Sequence, residues 1–187
     1  MAVSTSRGVG VLVSGAGSNL QALIDAGIPI VAVAANVASA PALERGARIG
    51  VPTAVFALDG YPDRDARDTA MADWLASLGV GIVVCAGYMH LLRPVFLRRF
   101  PGRVVNVHPA LLPAFPGAHA VEEALAAGVT ETGVTVHLVD EGVDTGLVLR
   151  QAVVPVLPGD TPEALHARIR VVEHRLLPEV VSELAAA

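Results

Sequence analysis

Short runs rich in valine alternate along the chain with longer stretches whose apolar residues recur at helical spacing. This alternation is typical of βαβ units, in which helices cover both faces of a parallel sheet. The apolar runs predict strands at residues 8–13, 30–34, 53–57, 81–86, 104–107, 134–139 and 148–156. The predicted fold is therefore α/β, a three-layer sandwich around a mostly parallel, doubly wound (Rossmann-like) sheet with helices on both faces.

Two helices can be placed between or after these strands in more detail. Between Asp63 and Leu78 apolar residues recur at helical spacing with Asp and Arg on the other side, so this helix is expected to lie on the sheet. The run Asp160-Thr161-Pro162-Glu163 has the form of a capping box, with an acid first and a glutamate three positions later. It predicts a helix running towards Leu184, which Pro178 is expected to kink or end.

Length, charge and cysteine content limit the class of protein. The 187 residues correspond to about one domain, so a single domain over residues 1–187 is expected. With 13 basic against 18 acidic side chains the net charge is −5, which argues against a nucleic-acid partner. The single cysteine, Cys85, excludes an intramolecular disulfide and fits a reducing compartment, so a cytoplasmic protein is expected.

One segment, residues 74–92, is long and uncharged enough to raise the question of a membrane span. Gly79, Gly81 and His90 divide it into a helix end, a break and a short β-branched run. We therefore expect no membrane partner.

A glycine-rich turn follows the first predicted strand. The run Ser14-Gly15-Ala16-Gly17-Ser18-Asn19-Leu20 leads into a helix whose free backbone amides can bind a phosphate. No lysine is needed for this, and all 13 basic residues are arginines, which excludes a P-loop lysine and lysine Schiff-base chemistry. Leu20 occupies the third glycine position of the dinucleotide fingerprint, and Asn36 stands where an acid would bind the ribose. The turn favours a phosphomonoester over NAD, and a tight turn without a ligand is the alternative.

Polar side chains lie at the end of the predicted strand 104–107. Asn106 and His108 share one face, and Pro109 ends the strand at the edge where doubly wound sheets bind ligands. A structural histidine is the alternative.

Asp144 lies in the acid-rich loop 140–146, where it could orient an imidazole, although such loops are also typical of solvated turns.

Glu173 falls at the apolar edge of the last predicted helix. Because burying an unpaired carboxylate is costly, a cationic partner is expected, either an arginine or a ligand amine; a glutamate reaching solvent is the alternative.

Cys85 is expected to be a small core residue, and Arg64 to face either solvent or an anionic ligand. No metal site is predicted, because the remaining histidines lack ligand spacing: His90, His119, His137, His166 and His174.

Several motifs occur in a familiar order along nearly the whole chain. They are the turn 14–20, Ala86-Gly87-Tyr88-Met89, Asn106-Val107-His108-Pro109-Ala110-Leu111-Leu112-Pro113, Phe115-Pro116-Gly117, Gly133-Val134-Thr135-Val136-His137, the loop 140–146 and Gly159-Asp160-Thr161-Pro162-Glu163. Together they resemble the folate-dependent formyltransferases, and among these the phosphoribosylglycinamide formyltransferase family.

The resemblance implies transfer of a formyl group from 10-formyltetrahydrofolate to the amine of glycinamide ribonucleotide, with these two small molecules as partners. It implies Asn106, His108 and Asp144 as the catalytic residues. It assigns the substrate phosphate to Gly17, Ser18 and Asn19, and the substrate amine to Glu173. Folate-side positions are Arg64, Met89, His90, Leu91, Leu92, Asp140, Glu141 and Val143. The oligomeric state stays open, a homodimer included.

Two positions depart from the pattern of the family. Many relatives carry arginine where this chain has His90 and lysine where it has Ala114, which puts direct charge contacts at those points in doubt. Two other functions remain open from the sequence. A formyltetrahydrofolate hydrolase would share the catalytic residues, whereas a non-catalytic phosphosugar-binding module would keep the glycine-rich turn without needing them.

Overall fold

Seven strands form one sheet in the computed structural model, which describes residues 7–187. In chain order they are β1 (Gly8–Val13), β2 (Ile30–Ala35), β3 (Thr53–Val55), β4 (Val80–Cys85), β5 (Val104–His108), β6 (Glu131–Leu138) and β7 (Val148–Pro155). The α-helices are α1 (Ser18–Asp25), α2 (Ala42–Arg48), α3 (Arg64–Ser77), α4 (Pro94–Arg99), α5 (Ala120–Ala126) and α6 (Pro162–Ala186). A short 3-10 helix, Leu58–Gly60, precedes α3.

The strand order across the sheet is β3-β2-β1-β4-β5-β6-β7. The neighbours from β3 to β5 pair in parallel, whereas β6 and β7 are antiparallel to their neighbours. The mostly parallel, doubly wound sheet predicted from the sequence is thus confirmed. β6 begins at Glu131, earlier than predicted, because its antiparallel pairing with β7 continues as far as Glu131 opposite Pro155.

Alternate residues of the strands enter two separate cores, one on each face of the sheet. Val11 of β1 packs with Leu20 of α1 and Ile169 of α6, whereas its neighbour Leu12 packs with Met71 of α3. This follows from the two-residue period of a strand, which sends successive side chains to opposite faces. Helices therefore cover both faces, as the sequence predicts. Cys85 is buried in the second core, as expected.

α3 forms where the sequence predicts it, but not all of its charged residues face solvent as expected. Asp63 caps its N-terminus by accepting a hydrogen bond from the Ala66 amide, at 2.7 Å. Arg67 and Asp68 are 1% and 0% exposed, so the expectation that the charged residues of this helix all face outward is wrong. Their burial is stabilised by the ion pair that they form with each other.

The start of α6 also differs from its prediction. Thr161, and not Asp160, caps the helix, because the Thr161 hydroxyl accepts from the Ala164 amide at 3.2 Å. Asp160 instead accepts from the Leu157 amide and pairs with Arg168. These donors lower the pKa of Asp160 to about 2, with Arg168 as the first cause. The helix continues past Pro178, which does not end it.

Residues 74–92 divide into the end of α3, the strand β4 and an irregular segment. Across residues 7–187, the helices lack the combination of length and apolar character that crossing a bilayer requires.

Candidate active site

A cleft of about 630 Å³ opens where the strand order reverses, beyond the carboxyl ends of β1, β4 and β5. This is the position at which doubly wound sheets bind ligands. Its walls come from segments far apart in sequence, namely residues 15–19, 85–92, 106–109, 117–118 and 139–144, together with His137, His166, Arg170 and Glu173. With the exception of Arg64, every site residue predicted from the sequence lines this cleft.

His108, the last residue of β5, is 4% exposed and has an oxygen atom of a neighbouring residue near each ring nitrogen. Its Nε2 lies 2.7 Å from the Phe115 carbonyl oxygen, and its Nδ1 lies 3.4 Å from Asp144 Oδ2. Only a ring that carries two N–H bonds can donate to both. The surroundings of His108 are therefore complementary to an imidazolium.

Asp144 belongs to the loop between β6 and β7 and adopts a left-handed backbone conformation, with φ of 53°. Its Oδ2 accepts from the Gly117 amide at 2.8 Å, and its Oδ1 lies 3.4 Å from Asn106 Nδ2. A hydrogen bond from His137, the Gly117 amide and the nearby charge of His108 outweigh burial and lower the pKa of Asp144 to about 2. The carboxylate is consequently ionised at neutral pH.

His137 is a site residue that the sequence reasoning missed. It is 2% exposed on β6, directly opposite Asn106 in the antiparallel register. Its Nε2 lies 3.5 Å from Asp144 Oδ1 and 3.2 Å from Asn106 Nδ2. Its Nδ1 donates to the Leu138 carbonyl oxygen, 2.9 Å away, which fixes the orientation of the ring. The sequence shows only that His137 lies in a predicted strand. It does not show the register between β5 and β6, which is what places His137 beside Asn106.

The glycine-rich turn holds the N-terminus of α1 open towards the cleft. Gly17 has φ of 74°, and a Cβ atom built there would lie 2.5 Å from the Ala42 Cβ. Glycine is thus required for both conformation and space. Among the described residues no side chain caps α1, so its first amides remain available to an anion.

Asn19 and Glu173 join this turn to α6. Glu173 is 6% exposed and accepts a hydrogen bond from Asn19 Nδ2 at 3.2 Å. Within residues 7–187, no arginine forms a salt bridge with Glu173, and the buried Asn19 Oδ1 has no hydrogen-bond partner. Of the two cationic partners expected for Glu173, the arginine is therefore not found. Asn19 and Glu173 both line this part of the cleft.

Arg170 lies one turn before Glu173 on α6 and also lines the cleft, although the sequence reasoning did not single it out. It places a positive charge on the wall that carries Glu173. Arg170 is an exposed residue of a long helix, and the surrounding sequence contains no motif that marks it as a site residue.

The predicted folate-side residues form the opposite wall. Met89 and Leu91 are 67% and 54% exposed, while Leu92 is buried. Asp140, Glu141 and Val143 contribute the loop after β6. Arg64 is exposed at the start of α3 and does not line the cleft. Over the part of the chain that is described, no group of three or more His, Cys, Asp or Glu side chains is placed to hold a metal ion.

Comparisons with known proteins agree on one family. Residues 7–181 match the sequence model described as formyl transferase. The chain is 51% identical over 179 residues to the phosphoribosylglycinamide formyltransferase of Mycobacterium tuberculosis, covering 94% of this chain and 83% of that protein. It is 46% identical to the trifunctional purine biosynthetic protein adenosine-3 of Drosophila pseudoobscura pseudoobscura, over 95% of this chain but only 14% of that protein.

Solved structures give the same result. The crystal structure of glycinamide ribonucleotide transformylase 1 from Symbiobacterium toebii superimposes with a TM-score of 0.94 at 46% identity, covering 97% of this chain and 88% of that one. The phosphoribosylglycinamide formyltransferase of Streptococcus pneumoniae superimposes with a TM-score of 0.91 at 42% identity, over 95% of this chain and 98% of that one.

Proposed function

Because the chain belongs to the formyl transferase family, we propose that it transfers a formyl group from 10-formyltetrahydrofolate to the amine of glycinamide ribonucleotide, a step of purine biosynthesis. The observation that carries this proposal is the convergence of Asn106, His108 and Asp144 within one cleft. An amide donor, an imidazole and an ionised carboxylate are the groups that an acyl transfer to an amine requires.

The substrate would lie along the wall formed by α1 and α6. Its phosphate would bind at Gly17, Ser18 and Asn19, where the amides at the helix N-terminus and the positive charge of Arg170 favour an anion. Glu173 would accept a hydrogen bond from the substrate, namely from its amine as the family resemblance implies. The burial of Glu173 without an arginine partner supports a cationic ligand group at this point.

The folate would occupy the opposite wall. Met89, His90, Leu91 and Leu92 would lie on one side of it, and Asp140, Glu141 and Val143 on the other. The exposed side chains of Met89 and Leu91 support an apolar, flat ligand, because covering them removes apolar surface from water. Arg64 would reach the folate only where the molecule extends beyond the cleft.

In the reaction, the amine nitrogen bonds to the formyl carbon, and the formyl oxygen gains negative charge. Asn106 has two N–H bonds: one faces His137 Nε2 and Asp144 Oδ1, and the other can donate to this oxygen. The 3.4 Å contact of His108 Nδ1 with Asp144 is long, which leaves the Nδ1 proton free to be shared with the oxygen. Asp144, with a pKa of about 2, stabilises the imidazolium by its charge.

The second half of the reaction breaks the bond between the formyl carbon and the folate nitrogen. The proton lost by the amine is then gained by that nitrogen, through His108 or a water molecule. No residue becomes formylated. The same proposal treats residues 1–187 as a single formyltransferase domain that acts in the cytoplasm without a metal, and it leaves a homodimer to be tested by sedimentation.

The experiment mixes the protein with 10-formyltetrahydrofolate and follows the folate absorbance with and without glycinamide ribonucleotide. Loss of the formyl donor only when the amine is present is the expected result, and EDTA should not change the rate. Turnover without the amine would identify a hydrolase. Binding of the ribonucleotide with no turnover would identify a phosphosugar-binding module instead.

A further inference from the structure

A buried ion pair on α3 lies behind the folate-side wall of the cleft. Arg67 and Asp68 are adjacent in sequence and almost completely enclosed, and the Arg67 Nε donates to Asp68 Oδ1. The second carboxylate oxygen of Asp68 accepts from the Arg93 amide at 2.7 Å. The pair therefore contacts the end of the irregular segment 86–93, which joins β4 to α4.

Arg67 also contacts the middle of that segment. Its Nη1 lies 2.9 Å from Nδ1 of His90, whose Nε2 lies 3.3 Å from the amide of Asn36. Asn36 in turn contacts the Ser14 hydroxyl at 2.6 Å, and this hydroxyl accepts from the Met89 amide at 2.9 Å. One side chain on α3 thus begins a chain of contacts that ends on the backbone of the cleft wall.

The contacts of His90 define its protonation. A guanidinium has donors only, so Nδ1 of His90 must accept and the single ring proton must lie on Nε2. In the structure Asn36 Nδ2 faces this nitrogen and Asn36 Oδ1 accepts from the Ser14 hydroxyl. Exchanging the oxygen and nitrogen of the amide gives the Nε2 proton an acceptor, and the NH₂ group then donates to Ser14. Burial and the charges of Arg67 and Arg64 lower the pKa of His90, with Asp68 opposing them.

We infer that Arg67 is a positioning residue for the folate half of the cleft: it holds His90 as a neutral ring and, through that ring, fixes the segment from Met89 to Leu92. This inference rests on the proposed function, because that segment is where the folate is placed. His90 and His108 then differ in kind, since acceptors surround the ring of His108 and a donor that cannot reverse its role faces His90.

The first experiment measures the dissociation constants of a folate analogue that cannot transfer a formyl group, and of glycinamide ribonucleotide, for Arg67→Met. The folate analogue should bind about tenfold more weakly, because Asp68 loses its cation and His90 its donor, while binding of the ribonucleotide stays unchanged. Arg99→Met is the matched control, because Arg99 of α4 forms an exposed ion pair with Asp73 of α3, at 3.5 Å. It should alter neither constant.

Moving the positive charge from residue 67 to residue 90 distinguishes a positioning role of Arg67 from a general loss of stability. His90→Arg alone sets two guanidinium groups against the single carboxylate of Asp68 and should also weaken folate binding. Arg67→Met combined with His90→Arg restores one cation beside Asp68, and should bind the folate analogue more tightly than either single variant. In Arg67→Met, folate affinity should also become dependent on pH near the ordinary pKa of histidine, at about 6.5, because the donor that excludes the imidazolium is gone.

The tautomer can be read on the unaltered protein, from ¹⁵N shifts of labelled histidine, and this holds even if Arg67→Met does not fold. A neutral His90 with its proton on Nε2 is expected at neutral pH and above. A proton on Nδ1, or a folded Arg67→Met that binds the analogue as the wild type does, overturns the inference. Failure of the wild type to bind the analogue would instead overturn the proposed function.

Discussion

Nδ1 of His108 lies 3.4 Å from Oδ2 of Asp144, although the two residues belong to segments that point in opposite directions along the sheet. β6 is antiparallel to β5, so its last residue, Leu138, lies beside Val105 near the start of β5. The loop that follows must therefore return along the sheet to bring Asp144 to the end of β5. The acid–imidazole pair depends on this return.

Replacing His108 by alanine tests the imidazole. We expect kcat/KM to fall by about 10² or more with the fold intact, because one donor to the developing oxyanion is lost. Steady-state kinetics and thermal unfolding measure the two quantities. His119→Ala removes an exposed histidine outside the cleft and serves as control. Near-normal turnover of His108→Ala would remove the imidazolium from the mechanism.

Asp144→Asn keeps the shape of the side chain and removes its charge. Binding of both substrates should persist, while kcat falls by about 10² because the negative charge that favours the imidazolium over the neutral ring is lost. The rate should be measured from about pH 6 to about pH 9. A rate equal to that of the wild type across this range would contradict the pairing of Asp144 with His108.

The lowered pKa of Asp144 also predicts an effect of pH on stability. The folded value of about 2 lies below the ordinary 3.8, so the stabilisation is present above about pH 4 and is lost as the pH falls towards 2. The difference corresponds to about 2 kcal/mol of unfolding free energy. Denaturant unfolding should show Asp144→Asn less stable than the wild type at pH 7, with the gap narrowing in acid. A gap that does not change with pH would exclude this origin.

Glu173→Ala should weaken binding of glycinamide ribonucleotide with little effect on the folate. The reason is that Glu173 is almost fully buried beside Asn19, on the wall assigned to the substrate. Calorimetry with each ligand separately measures this. Glu183→Ala, on the same helix but exposed and paired with Arg150, should change neither affinity. If Glu173→Ala lost affinity only for the folate, Glu173 would have to be assigned to the folate site instead.

Gly17→Ala should destabilise the protein more than Gly27→Ala does. Both glycines have positive φ, so each substitution strains the backbone by about 1–2 kcal/mol. At Gly17 the new methyl group also meets Ala42, whereas at Gly27 nothing lies within 4 Å. Overpacking should add about 1–3 kcal/mol at Gly17. Equal unfolding free energies for the two variants would show that the turn adjusts freely.

The sequence predicted the strands because they depend on local periodicity. It predicted the location of the cleft because doubly wound sheets bind ligands at the carboxyl ends of their strands. Valine-rich runs mark strands wherever they occur, and the two-residue period is enough to place Asn106 and His108 on one face. The direction of β6 and its register with β5 depend on non-local pairing, and the sequence does not display them. His137 was missed for this reason, since only the register sets it opposite Asn106.

Charged residues on α3 show a second limit. An amphipathic pattern assigns every Arg and Asp to solvent. Arg67 and Asp68 depart from this pattern, and they form an ion pair with each other inside the protein. Their partner His90 lies on a different segment, so no spacing rule connects the three. Buried ion pairs of this kind become visible only when the packing of helix against loop is known.

The segment between β5 and α5 forms hydrogen bonds with the acid–imidazole pair through main-chain atoms. The carbonyl oxygen of Phe115 faces His108, and the amide of Gly117 donates to Asp144. Neither anchor uses a side-chain atom, so substitutions that keep the backbone path should preserve both contacts. Gly117 is the exception, because its φ of 93° favours glycine. Lengthening it by a single residue, by contrast, would misalign both partners at once without altering any side chain that touches substrate.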